Sequence, residues 1–268
     1  MFKKIILAIL QPFSLPHKII FHSKKLFNKI FYEIGYNSSK FIEEQRELFS
    51  KYNINYNDAL EKLSELRSSY KELEKKKYLP HSEHSTFFAG LSLTRKDIKN
   101  ILEIGTFNGQ NAFLLSALFE QAKVTTVDLP RHSKEYVNSY NRGFEKERES
   151  FITFRDNLIS KKANLSIQEK NSVNLINESS QYDLIWVDGA HFDPIVTIDI
   201  INSIRFLNNN GLILCDDVTK SDSNPTWKCI NILKDQNIID FELIYKSLES
   251  SSNANPRKRT FISILKKK

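Results

Sequence analysis

Cysteine is scarce in this chain: Cys215 and Cys229 are the only two among 268 residues. Two thiols exclude a disulfide framework, and Cys215 lies inside an apolar run where it reads as a small core residue. Long hydrophobic runs are missing as well. The longest near the start, Ile5 to Leu10, ends at Gln11-Pro12 and falls far short of the roughly 20 residues that span a bilayer. A secretory leader would need a longer apolar core and a small-residue cleavage site, and neither is present. These absences lead to the expectation of a soluble protein of the reducing cytoplasm.

Acidic residues are absent from both ends. Residues 1–32 hold six Lys and no acid, and 252–268 hold six Lys or Arg and no acid, so the net charge of +7 is made there. Taking those twelve away leaves 27 basic against 32 acidic residues, a body of net charge −5. A nucleic-acid groove across the body is therefore not expected. Repeats and long low-complexity tracts are also absent.

What is there divides into an N-terminal helical extension, 1–78, and a larger domain, 79–268. The first segment, 1–32, mixes Phe and Ile with Lys and is broken at Pro12 and Pro16. That composition suits short amphipathic helices on the anionic inner face of a membrane, or apolar faces that pack on the body. From Tyr56, the positions Tyr56, Ala59, Leu63, Leu66, Tyr70 and Leu73 step by three and four, a heptad seam on a helix over 56–77. Asp58 and Glu61 form an N-cap pair in this reading. Fewer than three heptads is short for an independent coiled coil, so the seam is expected on the body or on a twin helix in a homodimer.

After Pro80 the pattern becomes strand and helix in alternation: NILEIG, KVTTVD, NLSIQEK, YDLIWVD and GLILCDD. Near-continuous apolar strands separated by helices predict a mainly parallel, doubly wound α/β sheet covered on both faces. The last two strands, FELIYKSL and TFISILK, are joined only by a polar linker and predict an antiparallel C-terminal hairpin. Between the second and third strands, residues 131–162 are long, charged and rich in aromatics. They predict either a cover over the ligand crevice or a longer connecting helix.

The strand ending at Glu103 runs into a turn holding Gly105 and Gly109, then a helix. Glycine there lets the backbone approach a ligand closely. The next strand ends at Asp128, where a carboxylate can accept hydrogen bonds from both hydroxyls of a ribose. The turn reads G-T-F-N-G where a dinucleotide fold has G-x-G-x-x-G, which points to an adenosyl ligand without a pyrophosphate.

These segments, LEIGTFNGQNA, VDLP, WVDGAH and LILCDDV, resemble the class I S-adenosylmethionine-dependent methyltransferases, within them the group of macrocin and other sugar O-methyltransferases. The resemblance covers about residues 82 to 220 and implies a Rossmann-like fold. It implies that Gly105 and Gly109 line the methionine part of the cofactor, that Asp128 holds its ribose, and that Asn171 and Ser172 lie by its adenine, with Glu103 among the cofactor-binding residues. Many members have Gly-Asp where this chain has Lys170-Asn171.

Two buried strands end in carboxylates, Asp188 on one and Asp216 with Asp217 on the other. Adjacent strands lie ~4.8 Å apart, so the three should crowd one volume at the C-terminal end of the sheet. Their mutual repulsion is relieved if some are protonated, if some cap the next helix, or if a cation holds them. All-oxygen ligands favour a hard divalent ion such as Mg2+, and the resemblance implies the same ion at these three positions. His191, three residues beyond Asp188, is placed to take a proton from a hydroxyl acceptor, the role the resemblance also implies. His81 and His84 have H-x-x-H spacing without cysteine or further histidine partners nearby, which argues against a zinc site; they are expected at the pocket rim.

The reading is thus an S-adenosylmethionine-dependent, Mg2+-dependent O-methyltransferase acting on the hydroxyl of a sugar, glycan or glycosylated metabolite. The rival is a catalytically inactive, membrane-associated binding protein that keeps the fold. The full set of acidic and glycine positions argues against it.

Overall fold

The structure, a computed structural model, describes residues 38–73, 82–139, 143–248 and 259–268. The expected membrane-surface segment, 1–32, and His81 lie outside these residues. Among the described residues no helix is long and apolar enough to cross a membrane.

The five apolar runs of the larger domain form β1 (Asn100–Ile104), β2 (Lys123–Asp128), β3 (Leu165–Glu169), β4 (Tyr182–Val187) and β5 (Leu207–Thr219). Two further strands follow, β6 (Ile239–Tyr245) and β7 (Thr260–Lys267). All seven make one sheet in the order β3-β2-β1-β4-β5-β7-β6. The first five are mutually parallel, while β7 runs antiparallel to both β5 and β6. This is a Rossmann-like sheet closed by an antiparallel hairpin. Chain order reverses between β1 and β4, which opens a crevice at their C-terminal ends.

Helices cover both faces because β1, β4 and β5 are apolar on both sides. One core cluster joins Ile101, Leu184, Trp186 and Leu214 to Phe113 and Leu115 of α4 (Gln110–Leu118); the other joins Leu102, Ile185 and Ile213 to Ile200 and Ile204 of α7 (Ile195–Phe206). Both cysteines are buried free thiols, as a core reading requires.

The described part of the N-terminal segment packs on the body. In α2 (Tyr56–Ser69), Tyr56, Ala59, Leu63 and Leu66 are buried and belong to the same core as β1 and α4. They face α3 (His84–Thr94), whose Phe87 and Phe88 are fully buried. The cap differs from the expected pair: Asn55 accepts from the backbone N–H groups of Asn57 and Asp58, leaving Asp58 within the first turn. The helix is also shorter than 56–77. Its last residue is Ser69, Tyr70 turns to extended backbone, and a 3-10 turn, Lys71–Leu73, follows.

Before it, α1 (Ser38–Ser50) lies along the outer strand. The fully buried Gln45 accepts from the backbone N–H of Tyr245 (3.0 Å) and donates to its carbonyl (3.2 Å), so a side chain completes the β6 edge. The C-terminal end of that edge is thereby closed to another strand.

Residues 131–162 fold as α5 (Lys134–Asn138) and α6 (Glu145–Ile159). Of the two readings offered by the sequence, α6 follows the connecting helix. It packs against α4 and β3, and it holds the fully buried Arg155.

Candidate active site

The first wall of the crevice is the turn after β1. Gly105 has φ +102° and Gly109 φ +78°, both in the region that favours glycine. A Cβ on Gly105 would stand 2.2 Å from the carbonyl oxygen of Asp188, so the turn and the end of β4 are in backbone contact. Gly109 is the N-cap of α4, and a Cβ there would meet Arg155 Cγ at 3.4 Å. Phe107, between them, also has a positive φ of 46° and packs edge-on to Phe151 of α6 with centroids 5.2 Å apart. Helix α6 therefore braces the glycine turn from below.

Glu103 lies beneath the crevice, at 1% exposure. Asn111 Nδ2 donates to its Oε1 (2.8 Å), Thr126 Oγ1 pairs with its Oε2 (2.5 Å), and Thr126 meets Thr106 Oγ1 at 2.6 Å. Burial pushes its carboxyl up to about 8. The residue ties β1, β2 and α4 together under the turn.

Asp128 ends β2 beside Glu169, its register partner at the end of β3. Its Oδ1 accepts from Leu129 N–H (2.9 Å), and its Oδ2 lies 4.0 Å from Arg155 Nη1. The same guanidinium donates to Asp156 (2.9 Å) and Glu169 (2.8 Å), and Arg131 spans these two acids from outside. Nothing in the sequence singled out Arg155, because an arginine on a charged helix ordinarily faces solvent.

Asn171 and Ser172 follow β3 at a 3-10 turn, Ser172–Asn177, and the Asn171 Oδ1 accepts from Val173 N–H at 3.1 Å. The His84 ring lies 4.7 Å from that of Trp186, Nδ1 pairs with Ser82 Oγ at 2.7 Å, and the neighbouring Glu83 N–H donates to Lys246 O at 2.8 Å.

The opposite wall carries the aspartates. His191 Nε2 lies 3.4 Å from Asp188 Oδ1 and 3.9 Å from Asp217 Oδ2, so His191, Asp188 and Asp217 do converge. Burial pushes the Asp188 carboxyl up to about 6. The neighbouring Asp188 raises His191 above its ordinary value, with burial opposing.

In a regular strand consecutive side chains point to opposite faces, so Asp216 and Asp217 should diverge. They do not. The β5–β7 register jumps from Cys215↔Ser263 to Val218↔Phe261, so these two residues oppose Ile262 alone, and Asp217 takes φ +52°. This bulge turns both carboxylates to one cation. That cation is Lys246, whose Nζ donates to Asp216 Oδ2 and to Asp217 Oδ1, each at 2.5 Å.

At the expected Mg2+ site, Asp188, Asp216 and Asp217, an ammonium thus already supplies positive charge to two of the three acids. Among the described residues no group of three or more His, Cys, Asp or Glu is arranged to hold a metal ion. A divalent ion takes carboxylate oxygens at ~2.0–2.6 Å; sharing these two oxygens would put it within about 5 Å of the ammonium. The residues present match an ammonium at these two oxygens, while Asp216 Oδ1 stays buried without a hydrogen-bond partner among the described residues.

No curated protein matches the chain. Among solved structures, similarity extends to an O-methyltransferase from Bacillus cereus in complex with SAH, at 15% identity, TM-score 0.47, covering 76% of this chain and 90% of that one. An O-methyltransferase from Streptomyces achromogenes involved in tomaymycin synthesis, in complex with SAM, gives 13% identity, TM-score 0.47, and coverage of 83% and 96%. An SAH-bound methyltransferase from Podospora anserina gives 17%, TM-score 0.45, and coverage of 79% and 88%. Residues 102–218, which take in the glycine turn, Asp128, His191 and the three aspartates, match the family model described as a methyltransferase domain.

Proposed function

We propose that this methyltransferase uses S-adenosylmethionine as donor and methylates a hydroxyl of a sugar, glycan or glycosylated metabolite. The observation that carries the reading is the pairing of His191 with Asp188 at the end of β4, directly across from the glycine turn.

The donor-side residues fit an adenosyl ligand. Two positive-φ glycines leave backbone unobstructed for the methionine part, and Asp128 presents a carboxylate at the end of β2 for a ribose. Asn171 and Ser172 stand next in line for the adenine. Glu103 supports this wall from below. Bound S-adenosylmethionine supplies an electrophilic methyl on a sulfonium.

On the acceptor side, Asp188 accepts from His191 Nε2–H, which leaves Nδ1 to take the hydroxyl proton. The O–CH3 bond forms as the S–CH3 bond breaks, and the proton ends on His191 as an imidazolium facing Asp188 and Asp217. No step passes through a metal ion. Phe192, 62% exposed and adjacent to His191, offers a flat apolar face to the C–H side of a sugar ring.

The test is transfer of labelled methyl from S-adenosylmethionine to a panel of free sugars, nucleotide sugars and glycosylated metabolites. Label on a sugar hydroxyl is expected. Binding of S-adenosylhomocysteine without transfer to any of them would send the search to other hydroxyl acceptors, and no binding at all would reject the donor.

A further inference from the structure

The two aspartates that end β5 are brought together by a bulge and a left-handed residue, a conformation that costs of order 1 kcal/mol for a non-glycine side chain. That cost is met by the contact it makes, and the contact is with a lysine. Lys246 is held from three directions. Its N–H donates to Thr260 O (3.1 Å), its carbonyl accepts from Glu83 N–H (2.8 Å), and its ammonium reaches across the start of β7 to both carboxylates. Asp216 is 6% exposed, so its half of the contact is largely desolvated, while Asp217, at 46%, keeps one side to solvent.

From this we infer that Lys246 is the resident cation of the acceptor site: its ammonium holds Asp216 and Asp217 in the place where a divalent ion would otherwise sit, and the site works without one. The inference concerns the same crevice as the proposed methyl transfer and rests on that reading for its consequence in catalysis, but the geometry that carries it does not depend on the acceptor. Three carboxylates, Asp188, Asp216 and Asp217, converge here against one ammonium. Removing the ammonium leaves three acids beside His191 whose repulsion is relieved by taking up protons or by an external cation, and the metal probe reads the second. Lysine to arginine keeps the charge. Lysine to alanine exposes the vacancy.

The experiment uses the full chain and Mn2+ as probe, followed by electron paramagnetic resonance, with S-adenosylhomocysteine binding measured separately by calorimetry in EDTA and in Mg2+. The wild type and Lys246→Arg are expected to show no saturable Mn2+ site. Lys246→Ala is expected to acquire one, at least about tenfold tighter than any wild-type binding, and Mg2+ should displace it. Cofactor affinity in the wild type should be the same in EDTA and in Mg2+ within about twofold. Saturable Mn2+ binding to the wild type, or a folded Lys246→Ala protein that takes up none, overturns the inference. If Lys246→Ala does not fold, the wild-type and Lys246→Arg arms decide it. Failure of S-adenosylhomocysteine to bind in either buffer counts against the donor reading and leaves the Mn2+ result to stand alone.

Discussion

Arg155 and Asp128 face each other across 4.0 Å at the end of β2, and the arginine is fully buried. Its other nitrogens are taken by Asp156 and Glu169, so the guanidinium is fixed before it meets Asp128. Because the same side chain packs under Gly109, one residue of α6 supports both the Asp128 carboxylate and the glycine turn. Arg155→Met should destabilise the fold by about 3 kcal/mol, the usual cost of leaving buried acids without their partner. Urea unfolding measures it, and an unchanged midpoint would mean that the acids are solvated without the arginine.

Asp128→Ala should weaken S-adenosylmethionine binding by ~2 to 4 kcal/mol, since two charge-assisted hydrogen bonds to the ribose would be lost. Calorimetry on the folded variant checks this. Equal affinity would move the ribose elsewhere.

Two glycines make opposite predictions. Gly105→Ala places a Cβ 2.2 Å from Asp188 O at a φ of +102°, so the end of β4 must shift, and with it His191. A loss of at least about 2 kcal/mol in stability is expected, together with weaker cofactor binding. Gly143, where an added Cβ meets nothing within 4 Å, should accept alanine within about 0.5 kcal/mol. Thermal melts of the pair compare them directly.

Glu103 gives the fold a pH dependence. Its folded carboxyl is pushed up to about 8 by burial, from an ordinary value of 4.5. Between those values the folded protein keeps a proton that the unfolded chain has released. Stability contributed by this group is therefore complete at low pH and is lost as pH rises toward 8. Melting temperatures from pH 5 to pH 9 should fall less steeply in Glu103→Gln, which keeps a neutral side chain throughout. A parallel fall in both proteins would assign the slope to other groups.

Most of the fold could be read in the sequence because its signals are local. Each apolar run from Ile101 to Leu214 forms its strand where the pattern puts it, and the polar linker before Thr260 does join two antiparallel strands. What was hidden depends on pairs far apart in the chain. Lys246 reaches Asp216 across 30 residues, and only the insertion of β7 between β5 and β6 brings them together. In sequence it is one lysine at the end of an edge strand. The bulge at Asp216-Asp217 is equally silent, since Asp-Asp after an apolar run fits a strand end or a metal site alike. Arg155 was missed because helical spacing assigns it to a charged surface, whereas the glycine at 109 leaves room for its stem. The Asn55 cap was missed for a simpler reason: an acid pair within the first turn satisfied the same rule.

The proposed acceptor chemistry rests on His191. If Asp188 holds its Nε2–H and Nδ1 takes the proton, His191→Ala should lower kcat by ~10^2 to 10^4-fold, the range for losing a general base, while leaving S-adenosylmethionine affinity within about twofold. His191→Gln keeps a polar group but no base and should be equally slow. Asp188→Asn should also be slow, because an amide that donates to Nε2 reverses the tautomer and puts the proton on the nitrogen that must accept one. Single-turnover measurements with a hydroxyl acceptor found in the methyl-transfer panel would separate these effects from product release. If His191→Ala turned over at the wild-type rate, the acceptor would have to lose its proton to another group, and the nearest carboxylates, Asp188 and Asp217, would take that role.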